Sequence, residues 1–104
     1  MYFKEPPLKS NKLRKAARGG VCVACRFEKE TTCGRHYNGI RQHMLGKGRN
    51  QKCHDFAIAE LCDECERPLS EGMARKSVEH SEEFLFYCML TLIRRHAEGV
   101  LEVK

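Results

Sequence analysis

The sequence predicts a small α+β domain that a zinc ion holds together, and three observations lead to this prediction. Two Cys-x-x-Cys pairs, Cys22 with Cys25 and Cys62 with Cys65, have the spacing of a four-thiolate zinc site. A chain of 104 residues buries a modest amount of apolar surface, so a metal staple is physically reasonable. A short apolar run leads into each Cys-x-x-Cys pair, and a longer amphipathic run lies near the C-terminus.

A disulfide framework is the alternative way to hold so short a chain together. The seven cysteines are an odd number, and the start, MYFKEPPLKSNK, lacks the apolar segment of a secretory signal. We therefore expect thiolate-bound metal in a reducing cytoplasm. The longest apolar stretch, FLFYCMLTLI, has ten residues. A membrane span needs about 18, so no membrane association is expected.

The first third of the chain is predicted to contain a tail, a helix and a zinc knuckle. Residues 1–9 contain two prolines and are expected to form a flexible tail, with a single domain over residues 10–104. Ser10 or Asn11 can cap a short helix, NKLRKAARG, which ends at two glycines. VCVAC then alternates apolar residues with cysteines, which is typical of a strand that enters a knuckle.

The segment between the two cysteine pairs has 36 residues and several turn signals. Residues 26–40 are interpreted as a hairpin-like excursion with turns at Cys33-Gly34 and Asn38-Gly39. QHMLGKGRNQK, with two glycines and few apolar residues, is expected to be an exposed loop. FAIAELC is either a strand or the start of a helix.

Two helices are predicted after the second cysteine pair. Residues 63–76 are expected to be helical in part, and Pro68 limits where that helix can run. Ser81 is predicted to cap a helix over residues 81–97, with acidic residues in its first turn and basic residues in its last. Cys88 is interpreted as a buried core thiol. The apolar stripe predicted to pack on the zinc module comprises Phe84, Leu85, Cys88, Met89, Leu92 and Ile93.

The position of the cysteine pairs indicates the type of zinc fold. With the first pair at a β knuckle and the second at the start of a helix, the predicted geometry resembles a treble clef. The gap between the pairs is too long for a two-Cys, two-His finger.

Charge is distributed unevenly along the chain. Residues 1–54 carry 13 Lys/Arg and 3 Asp/Glu, a net charge of +10, whereas residues 55–104 carry 6 and 11, a net charge of −5. A basic half on a zinc-stapled domain suggests the phosphate backbone of a nucleic acid as partner. An ordinary solvated surface and an acidic protein partner are the alternatives. The residues expected to bind phosphates are Lys12, Arg14, Lys15, Arg18, Arg41, Lys47, Arg49 and Lys52.

Four further side chains between the pairs can bind metals: Cys33, His36, Cys53 and His54. One interpretation is a second structural zinc ion, and the other is free thiols on loops. His36 is the most suggestive, because a neutral imidazole near pH 7 can take a proton from water. With a divalent ion at the phosphate it forms a hydrolytic centre, and an ordinary surface histidine is the alternative.

Several strings together resemble a family of small proteins from lambdoid phages and prophages. They are LRKAARG, ETTCGRH, a Gly-Lys loop, a His-Asp dipeptide and the second Cys-x-x-Cys. That family is described as nucleases of the HNH, or ββα-metal, type. The resemblance covers about residues 11–76, and LRKAARG is its most specific part. It implies a treble-clef zinc site that staples a ββα-metal motif, with DNA as substrate.

The resemblance also implies roles for individual residues. His36 matches the histidine that activates water, and Asp55, beside His54, lies near the polar residue that orients that histidine or the metal. Glu66 stands where the family commonly has a metal-ligating histidine, and Arg35 stands where it has an acidic residue. A carboxylate is a good ligand for Mg²⁺ or Mn²⁺. The resemblance therefore implies a catalytic Mg²⁺ or Mn²⁺ ion among His36, Asp55 and Glu66.

Three functions are compatible with these features. The first is an HNH-like DNA endonuclease of phage type, with a structural zinc ion and a catalytic Mg²⁺ or Mn²⁺ ion. The second is a non-catalytic zinc module that binds DNA or assists phage recombination. The third is an adaptor whose acidic half and exposed helix face recruit another protein.

Overall fold

Two short strands and two helices form the regular elements described here. The computed structural model describes residues 15–40, 56–73 and 76–99. In chain order the elements are β1 (Cys33–His36), β2 (Ile58–Leu61), α1 (Asp63–Ser70) and α2 (Val78–Ala97). The predicted tail and the predicted loop QHMLGKGRNQK lie outside the described residues. Within those residues, no helix combines the length and the apolar character needed to cross a membrane.

The described chain begins with the end of the predicted N-terminal helix. Residues 15–17 are helical, and Gly19 follows with a φ of 66°, a left-handed conformation that suits glycine. The Gly19 amide donates to the carbonyl oxygen of Thr32 at 2.8 Å, which ties the helix end to the segment before β1. Ala17 is fully buried against β1, since a Cβ added at Gly34 would lie 3.8 Å from its methyl group.

The sheet is an antiparallel pair in which Cys33 lies opposite Leu61 and His36 lies opposite Ile58. FAIAELC therefore forms a strand. The predicted turn at Cys33-Gly34 is wrong, because these residues begin β1. Pairing with a strand far along the chain outweighs the local preference of glycine for a turn.

The outer edge of β2 is covered by protein. The Glu60 carbonyl oxygen accepts a hydrogen bond from the Val23 amide at 2.9 Å. The Glu60 amide donates to Thr91 Oγ1, on α2, at 3.0 Å. A strand edge buried in this way needs partners for its polar backbone groups, and Val23 and Thr91 supply them. β2 is thus held by β1 on one side and by the first knuckle and α2 on the other.

α1 begins directly after Cys62, so the second cysteine pair lies at a helix start, as predicted. Cys62 is the N-cap residue, and three acidic residues in the first turn suit the positive end of the helix dipole. The helix continues through Pro68, which removes one backbone donor without ending it. At its end, Ser70 Oγ donates to Asn38 Oδ1 at 3.4 Å, so α1 runs back towards the segment that follows β1.

α2 begins at Val78, three residues before the predicted start. The predicted cap at Ser81 is wrong, because the N-cap is Ser77, whose hydroxyl accepts a hydrogen bond from the His80 amide. Ser81 lies buried inside the helix. Its hydroxyl accepts a hydrogen bond from the Ile40 amide at 3.0 Å. A serine hydroxyl can cap a helix or bind a neighbouring segment, and the hydroxyl of Ser81 binds the segment after β1 to α2.

The buried face of α2 differs from the predicted stripe. The buried residues of the helix are Ser81, Phe84, Cys88, Thr91 and Arg95. The core positions of Phe84 and Cys88 are confirmed, and Leu85 packs against the core in part. Leu92 is half-buried. Met89 and Ile93 are exposed, so their predicted place in the core is wrong. Thr91 and Arg95 make polar contacts with β2, so the side of the helix that carries them faces the sheet. The side with Met89 and Ile93 therefore faces solvent.

An aromatic contact and a close approach join the segment after β1 to α2. The rings of Tyr37 and Phe84 meet edge to face, with centroids 5.5 Å apart. The chain bends at Gly39, within the predicted Asn38-Gly39 turn. A Cβ at Gly39 would lie 2.3 Å from Tyr37 Oη and 2.7 Å from Ser81 Oγ. There is therefore no room for a side chain at this position, and glycine is required.

One fully buried carboxylate, that of Glu60, connects β2, α2 and the N-terminal segment. Arg95 Nε donates to Glu60 Oε2 at 2.5 Å, and Arg95 Nη2 donates to Oε1 at 2.7 Å. Arg94 Nη2 also donates to Oε1. The same two guanidinium groups donate to the carbonyl oxygens of Ala16 and Val21, each at 2.8 Å. No local pattern in the sequence indicates this cluster.

The variant Glu60→Gln should lower the free energy of unfolding by about 3–5 kcal/mol, because it leaves buried guanidinium charge without its counter-charge. Urea titration followed by circular dichroism measures the loss. Glu64→Gln is the matched control. The Glu64 side chain is 78% exposed in its pair with Lys29, so its removal should leave stability nearly unchanged. Equal losses in the two variants would contradict a special role for Glu60.

Candidate metal centre

The two Cys-x-x-Cys pairs come together, as the sequence predicts. The Sγ atoms of Cys22, Cys25, Cys62 and Cys65 all lie within 4.8 Å of one another. The Sγ atoms of Cys25 and Cys62 are 4.0 Å apart. Cys22 and Cys62 are fully buried, and the other two are half-buried. Among residues 15–40, 56–73 and 76–99, this is the one group of three or more histidines, cysteines or acids that could hold a metal ion.

The spacing and type of the four ligand atoms suit a zinc ion. Zn–S bonds of about 2.3 Å place sulfurs at the corners of a tetrahedron about 3.8 Å apart. The 4.0 Å between the sulfurs of Cys25 and Cys62 is close to that value. Four thiolates are soft ligands that favour Zn²⁺, whereas Mg²⁺ and Ca²⁺ prefer oxygen. The group could therefore bind a metal such as zinc.

A tight turn presents the first pair of sulfurs. The Cys22 amide donates to the Phe27 carbonyl oxygen at 3.0 Å, and the Arg26 amide donates to the Cys22 carbonyl oxygen at 2.9 Å. Just outside the turn, Val21 and Glu28 form an antiparallel bridge. Arg26 has a φ of 69°, a left-handed conformation that side chains disfavour. No feature of the sequence indicates this conformation, since glycine is the usual residue for it.

Backbone amides favour negative charge on Cys22. Burial by itself raises the pKa of this thiol, but hydrogen bonds from the backbone of Cys25, Cys62 and Ala24 outweigh burial and lower the pKa to about 6. Burial and contacts with the neighbouring thiols raise the pKa of Cys65. A negative charge on one sulfur thus disfavours deprotonation of the neighbouring thiols. A bound cation removes this repulsion, which is why metal binding and thiol deprotonation are linked.

Lys29 is a charged neighbour of the four-cysteine group, and no sequence motif singles it out. Its Nζ lies 3.4 Å from Glu64 Oε1. Burial by itself lowers the pKa of Lys29, but the negative charges of Cys25, Cys62 and Glu64 raise it. The ammonium group therefore offsets part of the net negative charge that four thiolates keep around a divalent ion. The only indication of this role in the sequence is the position of Lys29 shortly after the first cysteine pair.

Two of the three residues implied for catalysis are described. His36 is the last residue of β1 and Glu66 lies in α1, and both are half-exposed. Asp55 lies outside the described residues. In the described part of the chain, His36 and Glu66 belong to no group of three side chains that could bind a metal. The convergence of His36, Asp55 and Glu66 stays a prediction.

The second zinc site stays a prediction as well. Cys33 is half-exposed at the first position of β1, and His36 lies at the opposite end of the same strand. Cys53 and His54 lie outside the described residues. None of the six described cysteines forms a disulfide.

The eight basic residues expected to bind DNA are described only in part. Lys15 and Arg18 are both exposed. They flank Ala17, which packs on β1. The other six lie outside the described residues: Lys12, Arg14, Arg41, Lys47, Arg49 and Lys52.

Comparison of the chain with protein-family models, with curated proteins and with solved structures gives no match. The resemblance to phage HNH nucleases therefore stays a prediction.

The protein should bind about one zinc ion per chain at its four-cysteine group. Cys62→Ser should lose that ion and unfold. Cys62 is a fully buried member of the second cysteine pair, and metal binding contributes to folding. Elemental analysis after gel filtration measures the zinc, and circular dichroism measures the fold. Cys33→Ser is the matched control and should keep its zinc. Two ions per chain, or zinc loss in Cys33→Ser, would contradict a single four-thiolate site.

Proposed function

We propose that this chain is an HNH-like protein of the ββα-metal type that binds DNA and hydrolyses its phosphodiester bonds, with His36 as general base. In this proposal the four-cysteine group is the structural zinc site of a treble clef. Its first pair lies on the knuckle before β1 and its second pair lies at the start of α1.

The observation that carries the proposal is the position of the basic N-terminal segment relative to His36. Side chains of alternate residues on a strand share a face, so His36 lies on the same face of the sheet as Gly34. Ala17 packs against Gly34 on that face. Its neighbours Lys15 and Arg18 are exposed. Cations able to bind phosphates therefore belong to the segment that packs on the face carrying a half-exposed imidazole.

The order of the elements supports the same proposal. β1, β2 and α1 follow one another as two antiparallel strands and a helix. Glu66 comes directly after Cys65 in α1. A helix of this length spans about 12 Å, and the contact of Ser70 with Asn38 shows that it runs back towards the end of β1 that bears His36. In this proposal the Glu66 carboxylate on α1 is one ligand of the catalytic metal ion.

The chemistry requires few groups. His36 accepts a proton from a water molecule as that water attacks phosphorus, the bond from phosphorus to the leaving oxygen breaks, and the leaving oxygen takes up a proton from solvent water. Lys15 and Arg18 hold the phosphate backbone in place. A bound Mg²⁺ or Mn²⁺ ion supplies charge neutralisation at the scissile phosphate. Glu66 and Asp55 offer the oxygen ligands that such ions prefer.

A non-catalytic DNA-binding module is the second candidate. It is favoured by the fact that, within the described ranges, the four cysteines form the one group suited to a metal ion. The exposed cations Lys15 and Arg18 serve this function equally well, because their attraction to phosphate needs no chemistry. The two candidates differ in whether DNA is cut.

DNA binding should depend on salt through Lys15 and Arg18. Each phosphate contact contributes roughly 0.9 to the slope of log affinity against log salt concentration, so Lys15→Gln with Arg18→Gln should reduce that slope by roughly 2. Fluorescence anisotropy with a labelled duplex over a range of salt concentrations measures it. Lys76→Gln, at an exposed lysine in the acidic half, is the control and should bind like the wild type. An unchanged slope in the double variant would argue against DNA contact by this segment.

Cleavage should depend on His36. With Mg²⁺ or Mn²⁺, wild-type protein should nick supercoiled plasmid, and His36→Ala should be about 100- to 10,000-fold slower, because the general base is lost. Zinc content and DNA affinity should not change. His80→Gln, which removes an imidazole from α2, is the control and should cleave normally. Intact plasmid together with salt-dependent binding would overturn the nuclease and leave the binding module.

A further inference from the structure

Besides Val78 in its first turn, α2 carries three large apolar side chains in contact with solvent on its outward face. Phe86, Met89 and Ile93 are 53%, 56% and 60% exposed. They follow one another at intervals of three and four residues, which is the spacing of the buried positions of a coiled coil. Glu82 and His96, both exposed, continue the same spacing at either end. We call these five residues the outer seam.

We propose that the outer seam binds the outer seam of a second copy of this chain, with the two α2 helices antiparallel about a two-fold axis near Met89. The seam is close to symmetric about this residue, since Phe86 and Ile93 lie three residues before and four residues after it. A surface of this kind complements itself when rotated by half a turn. Pairing removes the three apolar side chains from water.

The polar ends of the seam determine the direction of pairing. Glu82 lies seven residues before Met89 and His96 lies seven residues after it, about 10 Å from it on either side. Antiparallel helices therefore bring the Glu82 carboxylate of one copy to His96 of the other, whose ring N–H can donate a hydrogen bond to it. Parallel helices would place the two copies of Glu82 against each other, which is unfavourable for like charges. Antiparallel pairing also opposes the two helix dipoles favourably.

Charge also excludes DNA as the occupant of this face. Glu79, Glu82 and Glu83 are all exposed in the first turns of α2. Carboxylates at this density repel phosphates. The apolar centre of the seam spans about two helical turns, which suits a small, concentration-dependent dimer rather than an obligate one.

Sedimentation velocity of the zinc-loaded protein, from low-micromolar to submillimolar concentration, tests the proposal. The wild type should shift from monomer to dimer. Met89→Glu should raise the dissociation constant at least about tenfold, because it places two carboxylates at the axis. Met73→Glu is the matched control. Met73 is 74% exposed and lies outside α2, so this variant should dimerise like the wild type. A wild-type chain that stays monomeric, or equal weakening by the control, would overturn the proposal.

A charge reversal tests the direction of pairing. Glu82→Lys should weaken the dimer, because the carboxylate that accepts from His96 is lost, and Glu82→Lys combined with His96→Glu should restore it, because an ammonium group then faces a carboxylate. In a parallel pair the double variant would still place like charges together. Failure of the double variant to recover, while its zinc content stays normal, would overturn the antiparallel arrangement.

Discussion

The buried carboxylate of Glu60 is the constraint on which the rest of the structure depends. A carboxylate removed from water needs opposite charge and hydrogen bonds close by, and Arg94 and Arg95 supply them. Both arginines lie near the end of α2, so the helix has to turn its polar side towards β2. Phe86 and Met89 then face solvent. The apolar residues of the outer seam thus lie on the side of the helix opposite this ion pair.

The same residue links the core to the metal centre. The Glu60 carbonyl oxygen binds the Val23 amide, inside the first Cys-x-x-Cys pair, and two residues further on the chain reaches Cys62. The first knuckle is therefore held against the outer edge of β2 and the second follows the end of the same strand, so that the four sulfurs lie within 4.8 Å of one another. Stability of the core and affinity for metal are consequently coupled, since displacement of β2 would separate the two cysteine pairs.

Local patterns predicted the four-cysteine group well and the helix boundaries less well. Cys-x-x-Cys places two sulfurs about one turn apart wherever it occurs, so each candidate ligand pair follows from spacing. Ser77 and Ser81 are equally good caps by local rules, and only the contact of Ser81 with the Ile40 amide distinguishes them. Cys33 and its glycine neighbour were interpreted as a turn because the strand that pairs with them lies far along the chain.

The sequence by itself determined the α+β class, the four thiolates, the buried thiol of Cys88 and the presence of a long final helix. Each of these depends on residue types at short spacing, which act wherever the chain goes. Only the tertiary structure decided the pairing of β1 with β2, the rotation of α2 and the burial of Glu60. The partners of Glu60 lie 34 and 35 residues away, and no local pattern specifies which distant guanidinium groups a carboxylate will meet.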